Sequence, residues 1–228
     1  MSLGGRARRE GDLRRALLRE TQLMVIVGEP GRAGAPEAVA EACLRGGARL
    51  FELRRKKARK RDLYDLALRL RERTARYGAL LIVNDEADIA LASGADGVHV
   101  GEDDLPVAAA RRVIGPERLV GATAHAREAA ARAIAEGCDY LGVGTIFRSP
   151  TKPDLPARGL DPIREIVALS ASVPAFAIGG IARTNLSEVL RTGIHGVAVA
   201  SAIAEAEDPE RETRLFLEAI AAAGAPRS

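Results

Sequence analysis

The chain has 228 residues, of which 47% are hydrophobic and only 3% aromatic, and its 34 Lys and Arg against 31 Asp and Glu give a formal net charge of +3. This length and composition predict one domain with a full aliphatic core, and they argue against nucleic-acid binding because little aromatic surface is present for base stacking. No run approaches the roughly 20 apolar residues of a membrane span and the N-terminus lacks the apolar stretch of a signal peptide, so we expect a soluble cytoplasmic protein without nucleic-acid or membrane partners.

Residues 1–20 form an extension before the first predicted strand. Leu13, Leu17 and Leu18 fall on one face of a helix, and arginines fall on the other. This pattern predicts a helix that caps one end of the following domain, or a partly disordered tail; a membrane-surface or nucleic-acid role is the alternative. We therefore divide the chain into an extension, residues 1–20, and a catalytic domain, residues 21–228.

Eight short apolar, β-branched runs alternate with Ala-, Leu-, Arg- and Glu-rich segments of helical character. Pro36, Pro106 and Pro209 stand where helical segments begin, which is a favoured position for proline. The predicted strands are residues 23–27, 50–54, 80–84, 97–101, 119–123, 140–146, 175–179 and 196–201. Eight such units in about 200 residues predict an α/β fold, a single (β/α)8 TIM barrel. A doubly wound open sheet is the alternative, since it is built from the same alternation of strands and helices.

The two cysteines, Cys43 and Cys138, are far apart in sequence and lie in apolar contexts. Neither belongs to a cluster with metal-ligand spacing. In a cytoplasmic protein this pattern predicts reduced, buried thiols rather than a disulfide or a zinc site.

Acidic residues follow two consecutive predicted strands. Asn84 and Asp85 end the third strand, and Asp104 comes shortly after the fourth. In an α/β barrel the active site lies at the carboxyl ends of the strands, where two carboxylates from neighbouring strands could share a hard cation such as Mg²⁺. Taken alone, an Asn-Asp pair after a strand is as often a turn or a helix cap.

Basic and hydroxyl side chains follow other strands. Arg54 and Lys56 follow Glu52 at the end of the second strand and are two residues apart, so their side chains point to the same side. From that side they would neutralise a diphosphate together with Mg²⁺. After the sixth strand, Ser149, Thr151 and Lys152 provide donors for an anionic group. The basic run 57–61 reads instead as a solvated surface.

The last two strands end in small residues. The seventh strand ends at Gly179-Gly180 and the eighth at Ala200-Ser201. Glycines at these positions let backbone N–H groups approach a phosphate. We therefore predict a monophosphate site between these strands. Of the histidines, His99 is predicted to be a hydrogen-bonded barrel residue and His195 a loop residue.

With these residues in view, the chain resembles the thiamine-phosphate synthase family from about residue 23 to 209. The motifs that carry the resemblance are LFELRRK, LLIVNDEADIA, ADGVHVGEDDLP, CDYLGVGTIFRSPTK, PAFAIGGI and GVAVASAI. The resemblance implies a Mg²⁺-dependent transferase with two small-molecule substrates. It would move a hydroxymethylpyrimidine group from its diphosphate to the nitrogen of a thiazole phosphate, forming thiamine phosphate and diphosphate. Assembly into a homo-oligomer is compatible with this sequence.

The resemblance also implies roles for individual residues. Asp85 and Asp104 would bind Mg²⁺, and Thr123 would face the pyrimidine. Catalysis would be dissociative, with the diphosphate leaving before the thiazole nitrogen attacks, and Lys152 would help to stabilise the leaving group. The implied diphosphate contacts are Arg54, Lys56 and Asn84; Ser149, Thr151 and Lys152 would lie between diphosphate and thiazole; Gly180, Ala200 and Ser201 would receive the thiazole phosphate.

The chain departs from the family pattern in places. The family usually has Gln at Glu52, Glu at Arg55, Ser at Thr123 and Thr at Ser149. The last two changes keep the hydroxyl, whereas the Glu52 carboxylate would repel a diphosphate unless Arg54, Arg55 or the metal compensates.

Two other functions are compatible with the barrel. A thiazole tautomerase of the same fold lacks the metal carboxylates and uses the His that matches His125. Because Asp85, Asp104 and Lys152 are all present, the synthase is favoured. A non-catalytic barrel that binds phosphorylated ligands for regulation, with the Arg-rich N-terminus as a partner arm, is the third reading.

Overall fold

Eight parallel strands close into a barrel in the computed structural model, which describes residues 3–148, 157–170 and 172–224. Neighbouring strands pair in chain order, and β1 pairs with β8 to complete the ring. The strands are β1 Leu23–Val27, β2 Leu50–Leu53, β3 Leu80–Asn84, β4 Gly97–Val100, β5 Leu119–Ala124, β6 Tyr140–Gly144, β7 Ala175–Ile178 and β8 Gly196–Val199. The predicted TIM barrel is confirmed, and the open-sheet alternative is wrong because the sheet has no free edge. The sixth strand ends at Gly144 instead of residue 146, and the eighth ends at Val199 instead of residue 201.

Among the residues described, helices surround the barrel: one precedes β1, seven lie between consecutive strands, and two follow β8. They are α1 Leu3–Glu20, α2 Pro36–Arg45, α3 Lys60–Arg76, α4 Ala87–Ala92, α5 Val107–Ile114, α6 Arg127–Ala135, α7 Asp161–Val167, α8 Arg183–Leu190, α9 Ser201–Ala204 and α10 Pro209–Gly224. Pro36 and Pro209 are the first residues of their helices, where the missing N–H costs no hydrogen bond. Within the described part of the chain, none of these helices combines the length and the apolar character needed to cross a bilayer.

The strands are buried on both faces, which explains their continuous hydrophobic runs. In β1, Met24 and Ile26 belong to the cluster inside the barrel, while Val25 and Val27 pack in the outer layer under the helices. Cys43 and Cys138 are free and buried, as predicted.

Helix α1 lies against the barrel and reaches its interior. Leu18 is 1% exposed and packs in the interior cluster with Met24, Leu50 and other strand residues. Ion pairs hold the helix in place: Nε of Arg14 lies 2.9 Å from Asp96 Oδ1, and Nε of Arg15 lies 2.8 Å from Asp139 Oδ1. Since Asp96 and Asp139 directly precede β4 and β6, α1 covers the amino end of the barrel.

Candidate active site

A cavity of about 310 Å³ lies at the carboxyl ends of the strands. Strand-end residues that the sequence predicted as functional meet there. Those that line it are Glu52, Arg54, Lys56, Asn84, Asp85, Thr123, Gly180, Ala200 and Ser201. Ser149, Thr151 and Lys152 lie outside the described residues.

Asp85 lines the cavity and interacts with the Asp104 carboxyl, which is not itself among the lining residues. Asp85 has a left-handed backbone, φ 66°, and its N–H donates to the His99 carbonyl at 2.7 Å. Asp tolerates this conformation better than most residues, and such strain is concentrated at functional sites. Asp104 Oδ2 accepts the N–H of Gly101 at 2.8 Å, which ties its loop to the end of β4.

The electrostatics of the pair favour a cation. Burial raises the pKa of Asp85, and the neighbouring Asp104 carboxyl raises it further, while Lys56 lowers it. A divalent cation between the two carboxylates would relieve their repulsion. Among the described residues no group of three or more His, Cys, Asp and Glu is placed to hold a metal. Two carboxylates still fit Mg²⁺, which commonly takes its remaining oxygen ligands from substrate phosphates and water.

Two cations stand beside the carboxylates. Nζ of Lys56 lies 3.4 Å from Asp85 Oδ2. Arg54 also lines the cavity, and its guanidinium forms no ion pair with another described residue. Gly28, directly after β1, allows the ends of β1 and β2 to lie close together, since a Cβ there would lie 1.9 Å from the Arg54 carbonyl oxygen. An unpaired guanidinium in a cavity is well suited to bind an anion.

The other basic residues of this segment are engaged elsewhere. Arg55 pairs with Glu29 at 3.5 Å, so it is not directed at Glu52. Lys60 binds Glu86 and Asp88 at 2.8 and 2.9 Å, which raises the pKa of Lys60. The run 57–61 is exposed at its four basic residues, as predicted.

Glu52 lies on the floor of the cavity. It is 3% exposed, and its charge contributes, after burial, to the raised pKa of Tyr140 on β6. Because Glu52 precedes Arg54 by two residues along β2, it lies about 6.6 Å deeper on the same side. The carboxylate therefore lies deeper in the cavity than Arg54.

The three histidines occupy different environments. His99 is buried and hydrogen-bonded inside the barrel, with Nδ1 3.1 Å from Tyr140 Oη and Nε2 3.0 Å from Thr123 Oγ1, which confirms the prediction. His125 lines the cavity, and its Nδ1 is hydrogen-bonded to the Gly144 carbonyl. His195 is a loop residue, as predicted, bonded to the Thr21 carbonyl at 3.1 Å.

On the β7 and β8 side, the mouth of the cavity is lined mainly by small residues and main-chain groups. Gly179 and Gly180 have positive φ values of 107° and 64°, and a Cβ on Gly180 would lie 2.5 Å from the Arg148 carbonyl oxygen. Asn185 of α8 donates to the Gly180 carbonyl at 2.9 Å and so fixes the turn. Because β7 pairs with β8, this turn lies next to Ala200 and Ser201 at the start of α9.

Some cavity residues escaped the sequence reasoning. Glu29 lines the cavity two residues after the end of β1. Active-site residues of a TIM barrel follow the carboxyl ends of its strands, so the residues after β1 should have been considered as well. Glu205 also lines the cavity and accepts the N–H of Arg32 at 3.0 Å, but it follows a helix and carried no signal. Together they add negative charge on the β1 and β8 side.

Comparison with known proteins agrees with this geometry. A family model described as thiamine monophosphate synthase matches residues 23–203. A thiamine-phosphate synthase of Gloeobacter violaceus is 49% identical over 182 residues, which are 80% of this chain and 53% of that protein. One of Chloroflexus aurantiacus is 49% identical over 178 residues, 78% of this chain and 82% of that protein. The chain thus spans about half the length of the Gloeobacter relative.

A solved structure gives the same result. Thiamine phosphate pyrophosphorylase from Pyrococcus furiosus superposes with a TM-score of 0.83 at 36% identity, covering 92% of this chain and 100% of that one. Since the family model covers most of the chain and these relatives share well over 30% identity, this chain belongs to the thiamine monophosphate synthase family.

Proposed function

We propose that this protein transfers a hydroxymethylpyrimidine group from its diphosphate to the ring nitrogen of a thiazole phosphate, giving thiamine phosphate and diphosphate. The observation that carries the proposal is the grouping of Asp85, Arg54 and Lys56 at one side of a single cavity, with the Asp104 carboxyl next to Asp85. That grouping suits a ligand with several negative charges. The family's name supplies the identity of the reaction.

The diphosphate end of the substrate would lie between β2, β3 and β4. We propose that Asp85 and Asp104 hold Mg²⁺, which when bound would offset charge on the diphosphate oxygens. Arg54 would bind those oxygens with its fork of N–H donors, and Lys56 would add a point charge. Asn84, buried at the end of β3, would donate its amide N–H to the same group.

These contacts favour bond breaking before bond formation. As the carbon–oxygen bond to the pyrimidine methylene breaks, the electron pair leaves with the diphosphate, whose growing charge Arg54 and Lys56 stabilise. The thiazole nitrogen then donates its lone pair to the cationic carbon. No proton must be removed for this step, so the protein's task is to hold charge and position.

The thiazole phosphate would bind on the β7 and β8 side. Gly180, Ala200 and Ser201 line that part of the cavity, and backbone N–H groups at this end of a TIM barrel commonly bind phosphate. On the family motif, Ser149, Thr151 and Lys152 would lie between the two anionic groups, with Lys152 acting on the leaving diphosphate. Free buried thiols at Cys43 and Cys138 support a cytoplasmic location.

The direct test is incubation with pyrimidine diphosphate, thiazole phosphate and Mg²⁺, with and without chelator. We expect thiamine phosphate and diphosphate in equal amounts, and no product with chelator. Asp85→Ala and Asp104→Ala should each reduce kcat/KM on the order of 100-fold or more. Asp103→Ala is the matched control, since Asp103 is exposed on the same loop. Turnover that is indifferent to the chelator and to both variants would overturn the mechanism.

A thiazole tautomerase remains the second candidate because of His125. A carbonyl only accepts, so Nδ1 of His125 donates to Gly144 and leaves Nε2 as an acceptor in a cavity-lining side chain. If His125→Ala alone destroyed turnover of a thiazole tautomer and the metal were dispensable, this function would replace the synthase. Saturable binding of both phosphorylated ligands without turnover would favour a regulatory barrel.

A further inference from the structure

Three hydrogen-bonded side chains connect the interior of the barrel to the cavity wall. Tyr140 Oη lies 3.1 Å from His99 Nδ1, and His99 Nε2 lies 3.0 Å from Thr123 Oγ1. Tyr140 is fully buried, whereas Thr123 is partly exposed to the cavity. The residues come from β6, β4 and β5, three adjacent strands.

Two glycines make room for the rings. A Cβ on Gly121 would lie 2.0 Å from Cζ of Tyr140, and one on Gly142 would lie 3.0 Å from Cε1 of His99. Phe176 meets the Tyr140 ring edge-on, with centroids 5.8 Å apart. Packing therefore fixes the ring of Tyr140, and a phenylalanine would fill the same volume. A buried hydroxyl lowers stability unless it is hydrogen-bonded, so the bond to His99 accounts for the tyrosine.

The proton of Tyr140 sets the direction of the hydrogen bonds. Burial raises the pKa of Tyr140 well above its ordinary value, and the charge of Glu52 raises it further, so the phenol keeps its proton. The phenol proton can be donated to Nδ1 of His99, which lies 3.1 Å from the hydroxyl oxygen. When Nδ1 accepts it, Nε2 of the neutral ring carries the hydrogen and donates it to Thr123 Oγ1.

We propose that Tyr140 and His99 are positioning residues that make the Thr123 hydroxyl a hydrogen-bond donor to the substrate. Since Oγ1 of Thr123 already accepts from His99, its own O–H is free to point into the cavity. The atom that it meets must be an acceptor. This inference rests on the proposed function, in which Thr123 faces the pyrimidine, so the acceptor is a ring nitrogen of that group.

The kinetic test is Tyr140→Phe, which keeps the ring and removes the hydroxyl. Without that donor, His99 Nε2 becomes an acceptor for the Thr123 O–H, which then turns away from the substrate. We expect KM for the pyrimidine diphosphate to rise about tenfold, the effect of one neutral hydrogen bond, with little change in kcat. Tyr77→Phe is the matched control, because it removes a hydroxyl bonded to Glu41 at 2.8 Å on the helical surface.

A double-mutant cycle separates positioning from packing. Thr123→Val removes the hydroxyl and should reproduce the rise in KM. Thr123→Ser keeps the hydroxyl and should not show this rise. In the Thr123→Val background, Tyr140→Phe should have no further effect, because its target is already gone. If the two effects multiply, Tyr140 acts by another route and the proposal is overturned.

The tautomer can be read without substrate, so this arm is independent of the proposed function. The chain has three histidines, which makes ¹⁵N NMR assignment of His99 tractable. We expect His99 to be the Nε2–H tautomer in the wild type and to lose that preference in Tyr140→Phe. An Nδ1–H tautomer or an imidazolium at His99 in the wild type would overturn the inference, whatever reaction the protein catalyses.

Discussion

The ammonium group of Lys56 lies 3.4 Å from Oδ2 of Asp85, which also faces the carboxyl group of Asp104. Asp85 is therefore influenced by a cation on one side and by an acid on the other. Burial and Asp104 outweigh Lys56, because the pKa of Asp85 is raised. The ligand-free site thus holds an ionised carboxylate at a cost in stability, and added positive charge would remove that cost.

The first prediction concerns Asp85→Asn in the absence of metal. A raised pKa means that the ionised form destabilises the fold at every pH above that pKa, and that this penalty disappears as pH falls toward the unfolded value. Asn keeps the left-handed backbone that Asp85 adopts. We expect the variant to melt on the order of 1–3 °C higher at pH 7, with the gain shrinking as the pH is lowered toward 4.

Thermal melts with chelator across this pH range measure the effect, and Asp103→Asn is the control. Mg²⁺ should raise the melting temperature of the wild type and have no effect on Asp85→Asn. A variant that is less stable than the wild type at pH 7 would contradict the assigned charge penalty.

The second prediction compares two neighbouring arginines. Arg54 lines the cavity without an ion pair to another described residue, whereas Arg55 pairs with Glu29. Arg54→Ala should lower kcat/KM on the order of 100-fold, as expected for the loss of a charged contact to a bound anion. Arg54→Lys should recover only part of it, because an ammonium cannot form the bidentate contact.

Arg55→Ala is the matched control and should change kcat/KM by less than about threefold, since an exposed ion pair contributes little. Steady-state kinetics with the pyrimidine diphosphate varied would separate the two. Equal losses at both positions would show that the segment contributes general positive charge rather than a specific contact.

The strands could be predicted because parallel strands buried on both faces are hydrophobic throughout. The strand ends were predicted less accurately than the strands themselves. After β6 the buried segment continues through Thr145 and Ile146, and the N–H of Ile146 still donates to the Ile178 carbonyl at 3.0 Å, although the regular strand ends at Gly144. Arg54 and Asp85 could still be placed at the same site, because residues after the carboxyl ends of neighbouring parallel strands lie close together whatever the exact strand boundary.

Side-chain partnerships could not be predicted, since they join residues far apart in sequence. Tyr140 begins β6, 41 residues after His99, and no local pattern indicates their hydrogen bond. The spaces left by Gly121 and Gly142 likewise become visible only when neighbouring strands are in register. Glu52 could be placed on the correct side of β2, but its proximity to Tyr140 required the fold.

The third prediction concerns the thiols. Burial raises the pKa of Cys43 to about 11, and burial followed by the charge of Asp139 raises the pKa of Cys138 to about 12. At pH 8 both remain protonated and shielded, so neither should react with a thiol reagent in the native protein on a scale of hours. In denaturant, the same reagent should then label two thiols per chain. Fast native labelling at either position would contradict the burial.

The fourth prediction tests how α1 closes the amino end of the barrel. Leu18 is 1% exposed within the interior cluster, whereas Leu13 of the same helix is 64% exposed. Leu18→Ala should lower the free energy of unfolding by about 2–5 kcal/mol, since it opens a cavity among rigid strand side chains that cannot collapse around it. Leu13→Ala should stay within about 0.5 kcal/mol of the wild type. Urea denaturation of both variants measures the difference, and equal values would show that α1 rests on the surface without sealing the barrel.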